Sequence, residues 1–169
     1  MTDFYHMSTK PLAVDEEVPG NGKDKIDPRV ETELEKRRPE TMLSRRDAVY
    51  ARPLSDFSRC GIVNAGYIYR VRLNGTPQYH DLNWIGPMQL ALLKEKYATK
   101  LPERVKAFPD WTDKLVERCC GNYWSGAESE AAVWEALAPS LTVLEILSDQ
   151  PITVGATRGG WLAPAQGDR

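Results

Sequence analysis

The chain has 169 residues, of which 41% are hydrophobic and 27% charged, a mixture that can bury a core and excludes a disordered polymer. Its formal net charge of -2 excludes bulk attraction to a phosphate backbone as the default mode of binding. A local basic patch stays open, because "EKRRPETMLSRR" carries four arginines and one lysine in twelve residues, although a solvated charge run is the commoner meaning of such a segment.

In chain order, "DFYHMS" alternates and predicts a short strand, with Phe4 and His6 on one face and Tyr5 and Met7 on the other. "PLAVDEEVPGNGKDKIDP" reads as a loop, and "RVETELEKRR" as a charged helix stopped by Pro39. "DAVYAR" predicts a strand. "PLSDFSRCGI" follows as a helix, with Pro53 in its first turn and Leu54 and Phe57 on one face. "GYIYRVRLNG" is the clearest strand. It ends at Asn74-Gly75, a hairpin signal, so "TPQYHDLNW" is expected to return beside it.

"GPMQLALLKEKYATK" predicts a helix with Met88, Leu92 and, as a further candidate, Leu93 inward, and "DWTDKLVERCCG" a second helix stopped by Gly121. "GAESEAAVWEALA" predicts a third, ending before Pro139, and "SLTVLEIL" and "PITVGAT" are late strands. The βαβ alternation of a doubly wound fold is missing, as are the GxGxxG and GxxxxGK(S/T) phosphate loops. The pattern predicts an α+β fold. One domain spans residues 1–155, with a split mixed or antiparallel sheet in which early and late strands meet and helices flank it. A partly disordered tail is expected over 156–169.

Cys60, Cys119 and Cys120 form an odd set with one adjacent pair, which is a poor disulfide framework and predicts reduced thiols. There is no CxxC, and neither His6 nor His80 has ligand spacing around it, so no metal site is expected. No local signature marks a cysteine nucleophile. The N-terminus shows no basic region followed by an apolar core, and no apolar run approaches the roughly 20 residues that cross a bilayer. The expectation is a cytoplasmic protein without a membrane partner. Delivery into another cell by a route without a cleavable signal would leave no trace in the sequence.

Three features could carry chemistry. His6 is a titratable group in a strand, and its bland role is a hydrogen bond to a neighbouring backbone. Tyr50, in "SRRDAVYARPLSDFSRC", ends a strand just before a turn and would present a flat face near a cleft; the bland reading is one aromatic in a half-buried strand. Glu128, Glu130 and Glu135 precede the strand "SLTVLEIL", and Glu145 lies within it. Most of these are solvated charges, and only one needs to face a cleft.

Taken in order, "FYH", then "AVYA" ahead of a helix, then a glutamate introducing a late strand resemble the ADP-ribosyltransferase superfamily. The likeness is closest to its His-Tyr-Glu branch, which includes poly-ADP-ribose polymerases and diphtheria-toxin-like enzymes, and it spans residues 4–147. The resemblance implies an ADP-ribosyltransferase-like fold with NAD as co-substrate and no metal. It implies transfer of ADP-ribose to a macromolecular acceptor, protein or nucleic acid, in a toxin, effector or defence protein. By the same likeness His6 would hold the adenosine ribose and Tyr50 would stack on the nicotinamide. Glu135 would be catalytic, with Glu130 and Glu128 as alternatives, and Glu145 or no glutamate beyond them. In such enzymes the glutamate lies in or beside the strand, whereas Ala138-Pro139 intervene here. Ser44 and Arg45 precede the tyrosine strand, and Arg45 could pair with the NAD pyrophosphate; a surface arginine is the competing role.

The chemistry accounts for these residue types. Nicotinamide leaves the ribose through an oxocarbenium-like transition state, which a carboxylate stabilises, while an aromatic face holds the departing ring. Two other readings compete. One is a non-catalytic nucleotide- or partner-binding module of similar fold. The other is an unrelated interaction protein in which Trp84, Trp111, Trp124 and Trp134 are core or interface residues.

Overall fold

A computed structural model describes residues 3–22, 26–53, 64–148 and 152–154. The helix expected after Pro53 and the C-terminal tail lie outside them. The strands are β1 (Phe4–Ser8), β2 (Glu17–Pro19), β3 (Val49–Ala51), β4 (Asn64–Asn74), β5 (Gln78–Asp81), β6 (Trp134–Ala138), β7 (Ser140–Ile146) and β8 (Ile152–Val154). The α-helices are α1 (Pro28–Lys36), α2 (Gly86–Tyr97), α3 (Pro102–Val105) and α4 (Asp113–Ser125). One sheet runs β1-β4-β7-β2 with β8 also on β4, and a second runs β3-β6-β5. β1 pairs β4, β2 pairs β7 and β4 pairs β7, all antiparallel, so early and late strands do share one sheet and the fold is α+β.

The chain divides into two compact units. The first holds the described residues of 3–22, 43–79 and 134–154; the second holds 26–42 and 80–133. The core of the first follows from strand alternation. Tyr69, Val71 and Leu73 of β4 and Leu141 and Val143 of β7 point inward at every second position. Phe4, Val49, Ala51, Ala136 and Ala138 complete the cluster. Burying each large apolar side chain contributes about 1.5–3 kcal/mol. Tyr69 also takes a polar partner, since its hydroxyl accepts the Leu12 N–H at 2.9 Å.

The second unit packs helices. α4 buries Leu115, Val116, Cys119, Cys120, Tyr123 and Trp124 on one side, and the Trp124 indole N–H donates to the Leu34 carbonyl of α1 at 2.9 Å. Desolvation raises the pKa of both described cysteines, that of Cys120 to about 12, so they remain neutral thiols and poor nucleophiles. His80 stacks on Tyr123 at 4.6 Å and donates from Nδ1 to the Tyr123 carbonyl. Asp81 organises the loop that follows α4. Its buried carboxylate accepts the N–H groups of Asn83, Ser129 and Val133 at 2.9, 2.8 and 2.8 Å. Burial pushes the Asp81 pKa up, but the bonds from Ser129, Val133 and Asn83 outweigh it and hold the pKa below its ordinary 3.8.

Several elements differ from expectation. The Asn74-Gly75 turn forms, with Gly75 at φ 84°, yet β5 does not return along β4. β4 is flanked by β1 and β7, and the Asn74 amide donates to Ser140 and Thr142 of β7 at 2.9 and 3.2 Å. Leu141 and Val143 of β7 alternate onto the inward face that β4 presents, and that long-range match outcompetes the local hairpin. Residues 134–138, expected to end a helix, form β6 instead. Val49, Tyr50 and Ala51 pair with Ala138, Leu137 and Ala136, and four of the five β6 residues are buried. Ladder bonds and burial on both faces override the helix propensity of Glu, Ala and Leu. α4 runs through Gly121 and stops at Gly126, which takes the left-handed φ of 68° a helix stop requires. β2 forms inside the expected loop, by pairing with β7. On α2, Met88 is buried as expected, but Ala91 rather than Leu92 joins it. Among the described residues no helix is long and apolar enough to cross a membrane, and no cluster of His, Cys, Asp or Glu could hold a metal ion.

Two stability measurements follow from these placements. Asp81→Asn faces an amide toward backbone N–H groups and is expected to cost about 3 kcal/mol in denaturant unfolding. Because the folded pKa is depressed, the carboxylate's contribution is present above pH 3.8 and lost as pH falls through the lower folded value, and the variant lacks that acid-induced loss. Gly121→Ala meets nothing within 4 Å, so it is expected to stabilise the protein by about 0.5–1 kcal/mol, read as a higher Tm.

Candidate active site

The site is built in the first unit from β1, β3, β6 and the turn before β3. Tyr5 and Arg52 exchange two backbone hydrogen bonds of 2.8 Å each, which pins β1 beside the end of β3. His6 follows directly, and its Nδ1 lies 2.8 Å from the Tyr50 carbonyl. A carbonyl can only accept, so Nδ1 carries the proton and Nε2 of the neutral ring is an acceptor. Desolvation lowers the His6 pKa below its ordinary 6.5, by more than the Tyr50 bond raises it, and keeps the ring neutral. Strand alternation directs the backbone N–H and C=O of Met7 to the same edge of β1 as those of Tyr5.

Arg45 begins a 3-10 turn, Arg45–Asp47, whose start is capped by the Ser44 hydroxyl accepting the Arg46 N–H at 3.1 Å. The Tyr50 hydroxyl donates back to the Arg45 carbonyl. The Arg45 guanidinium lies 4.9 Å from the centre of the Tyr50 ring and forms an ion pair with Glu135 of β6. Arg45 is 0% exposed and Glu135 4%.

The "PGNG" loop clamps this turn. A Cβ at Gly20 would sit 2.0 Å from the Asp47 carbonyl oxygen. Gly22, at φ 57°, would place one 2.3 Å from the Arg46 Cα. Only hydrogen at these positions lets the two backbones approach.

His6, Tyr50, Arg45 and Glu135 are therefore linked side by side, with Ser44 capping the turn beneath them. Arg45, expected to reach an NAD pyrophosphate, is fully buried and aimed at Glu135. Glu128 and Glu130 are exposed on the loop after α4, in the second unit. Glu145 pairs with Arg70 at 2.8 Å on the exposed side of β7. Arg52 was not legible in the sequence. It is buried, holds β1 through its backbone and donates from Nε to the Trp134 carbonyl at 3.3 Å. No periodicity marks such a bridging residue. The chain matches no protein-family model, curated protein or solved structure.

Chemically, the cluster offers an acceptor nitrogen, an aromatic ring and a carboxylate whose charge is compensated by Arg45. The neutral His6 has a pH signature. The unfolded chain binds a proton as pH falls through 6.5, while the folded ring binds it only at lower pH, so native stability declines on acidification across that window. His6→Asn retains a donor for the Tyr50 carbonyl but cannot titrate. Denaturant unfolding across that window is expected to show the decline in the parent and a flatter profile in the variant.

Proposed function

We propose that the chain is an NAD-dependent ADP-ribosyltransferase with an ADP-ribosyltransferase-like fold. It cleaves the nicotinamide–ribose bond of NAD and transfers ADP-ribose to a macromolecular acceptor, protein or nucleic acid. The observation that carries this reading is the convergence of His6, Tyr50 and Glu135, from the two ends of the chain, on neighbouring strands in the order the resemblance requires. The position of Glu135 within β6 adds support, because it removes the gap that Ala138-Pro139 would otherwise leave.

Each group has a role in the reaction. The acceptor Nε2 of His6 takes a hydrogen bond from a ribose hydroxyl of the adenosine. The backbone N–H and C=O of Met7 suit the carboxamide of nicotinamide, which both donates and accepts. Tyr50 supplies the stacking surface. When the C1′–N bond breaks, its electron pair leaves with the ring nitrogen and neutralises nicotinamide, while positive charge develops on the ribose. Glu135 stabilises that charge and binds ribose hydroxyls. The acceptor's nucleophile then attacks C1′ to form the new glycosidic bond and releases its proton to solvent water.

A second reading, a non-catalytic nucleotide- or partner-binding module, draws on the near-complete burial of Glu135. Nicotinamide release and transfer of labelled ADP-ribose into a lysate separate the two. Glu135→Asp keeps a negative charge opposite Arg45 but withdraws the carboxylate by one methylene, and is expected to lower nicotinamide release about 10²-fold or more with NAD binding retained. NAD binding without turnover favours the second reading. The absence of both a thermal shift with NAD and nicotinamide release would overturn the enzyme reading.

A further inference from the structure

We infer that Arg45 is a positioning residue that holds the catalytic carboxylate and the aromatic platform in one fixed relation, acting through Glu135 and Tyr50 and never touching NAD. The inference rests on the ADP-ribosyltransferase reading and assigns within it a residue whose sequence pattern pointed elsewhere. With no exposed surface, Arg45 has no face to offer a ligand. Its guanidinium engages Glu135 and covers the Tyr50 ring, and its backbone carbonyl accepts the Tyr50 hydroxyl. Three contacts thus run from one residue to the two side chains proposed to handle the departing nicotinamide and the ribosyl cation.

The turn that carries Arg45 is itself immobilised. Ser44 caps it, and Gly20 and Gly22 press the preceding loop against its backbone, with the Gly22 N–H donating to the Ala48 carbonyl at 3.3 Å. A planar guanidinium suits this task. Its fork holds a carboxylate in a defined orientation while its flat face lies on an aromatic ring, neither of which an ammonium reproduces. A negative charge that must stay aimed at a developing cation gains most from a counter-charge lying behind it, on the side away from the substrate.

The test is steady-state nicotinamide release by the full chain, with Tm recorded for every variant. Arg45→Gln is expected to lower kcat about 10²-fold with KM for NAD changed by less than about threefold, as for a residue that acts only in the transition state. Arg45→Lys, which restores charge but not the fork, is expected to recover about tenfold of that loss. Adding Arg45→Gln to Glu135→Gln is expected to lower kcat by less than about twofold further, because two residues acting as a unit are non-additive. The double variant buries no net charge, which keeps the comparison available if Glu135→Gln alone folds poorly.

A rise in KM with kcat unchanged would place Arg45 on NAD and overturn the inference while leaving the enzyme reading intact. A full additional loss in the double variant, or a kcat loss that follows Tm and is not recovered by lysine, would reduce Arg45 to a structural role. Absence of NAD cleavage by the parent protein overturns the enzyme reading, and this inference with it.

Discussion

A guanidinium and a carboxylate buried together constrain everything placed around them. Each ion loses several kcal/mol of hydration on leaving water, and only a close, well-directed partner repays it. Arg45 and Glu135 meet this condition inside the first unit. Removing either partner alone strands the other, at about 3–5 kcal/mol. The pair therefore demands that the turn before β3 and the strand β6 stay in register, although one precedes the tyrosine and the other lies near the end of the described chain. The ladder from Val49–Ala51 to Ala136–Ala138 and the glycine clamp on the turn both meet that demand.

β3 is only three residues long, too short to hold itself in place. It is secured on both sides, by β6 through the ladder and by β1 through the Tyr5–Arg52 bridge. That bridge sets the position of His6 against the Tyr50 carbonyl and hence its tautomer. A single backbone constraint thus decides a chemical property, the acceptor at Nε2, that the side chain alone leaves open. The second unit is organised differently. There a buried carboxylate, Asp81 at the end of β5, is held by backbone donors of Asn83 and of the loop after α4.

Much of the element content was legible because it is local. Alternation marked β1 and β4, Pro39 marked the end of α1, inward apolar residues marked α2, "SLTVLEIL" marked β7, and the small-aliphatic "AVYA" marked β3. The failures share a cause. "VWEALA" has helix-forming residues but lies where β3 needs a partner, and pairing won. Asn74-Gly75 is a sound turn, yet the strand after it lost the edge of β4 to β7, whose Leu141 and Val143 match the inward face of β4. Gly121 looked like a helix stop because it is a glycine, but a stop needs a left-handed φ at the end of the packed face, and that face continues to Tyr123 and Trp124.

The sequence by itself determined the α+β content and the order of the histidine, tyrosine and glutamate residues along the chain. Tertiary structure alone decided that Arg45 turns inward over the Tyr50 ring, that Glu135 is the glutamate it pairs with, and that β6 is a strand. The reason is physical. Periodicity records how a segment meets water, while a buried charge is stabilised by a counter-charge that only long-range packing brings within reach.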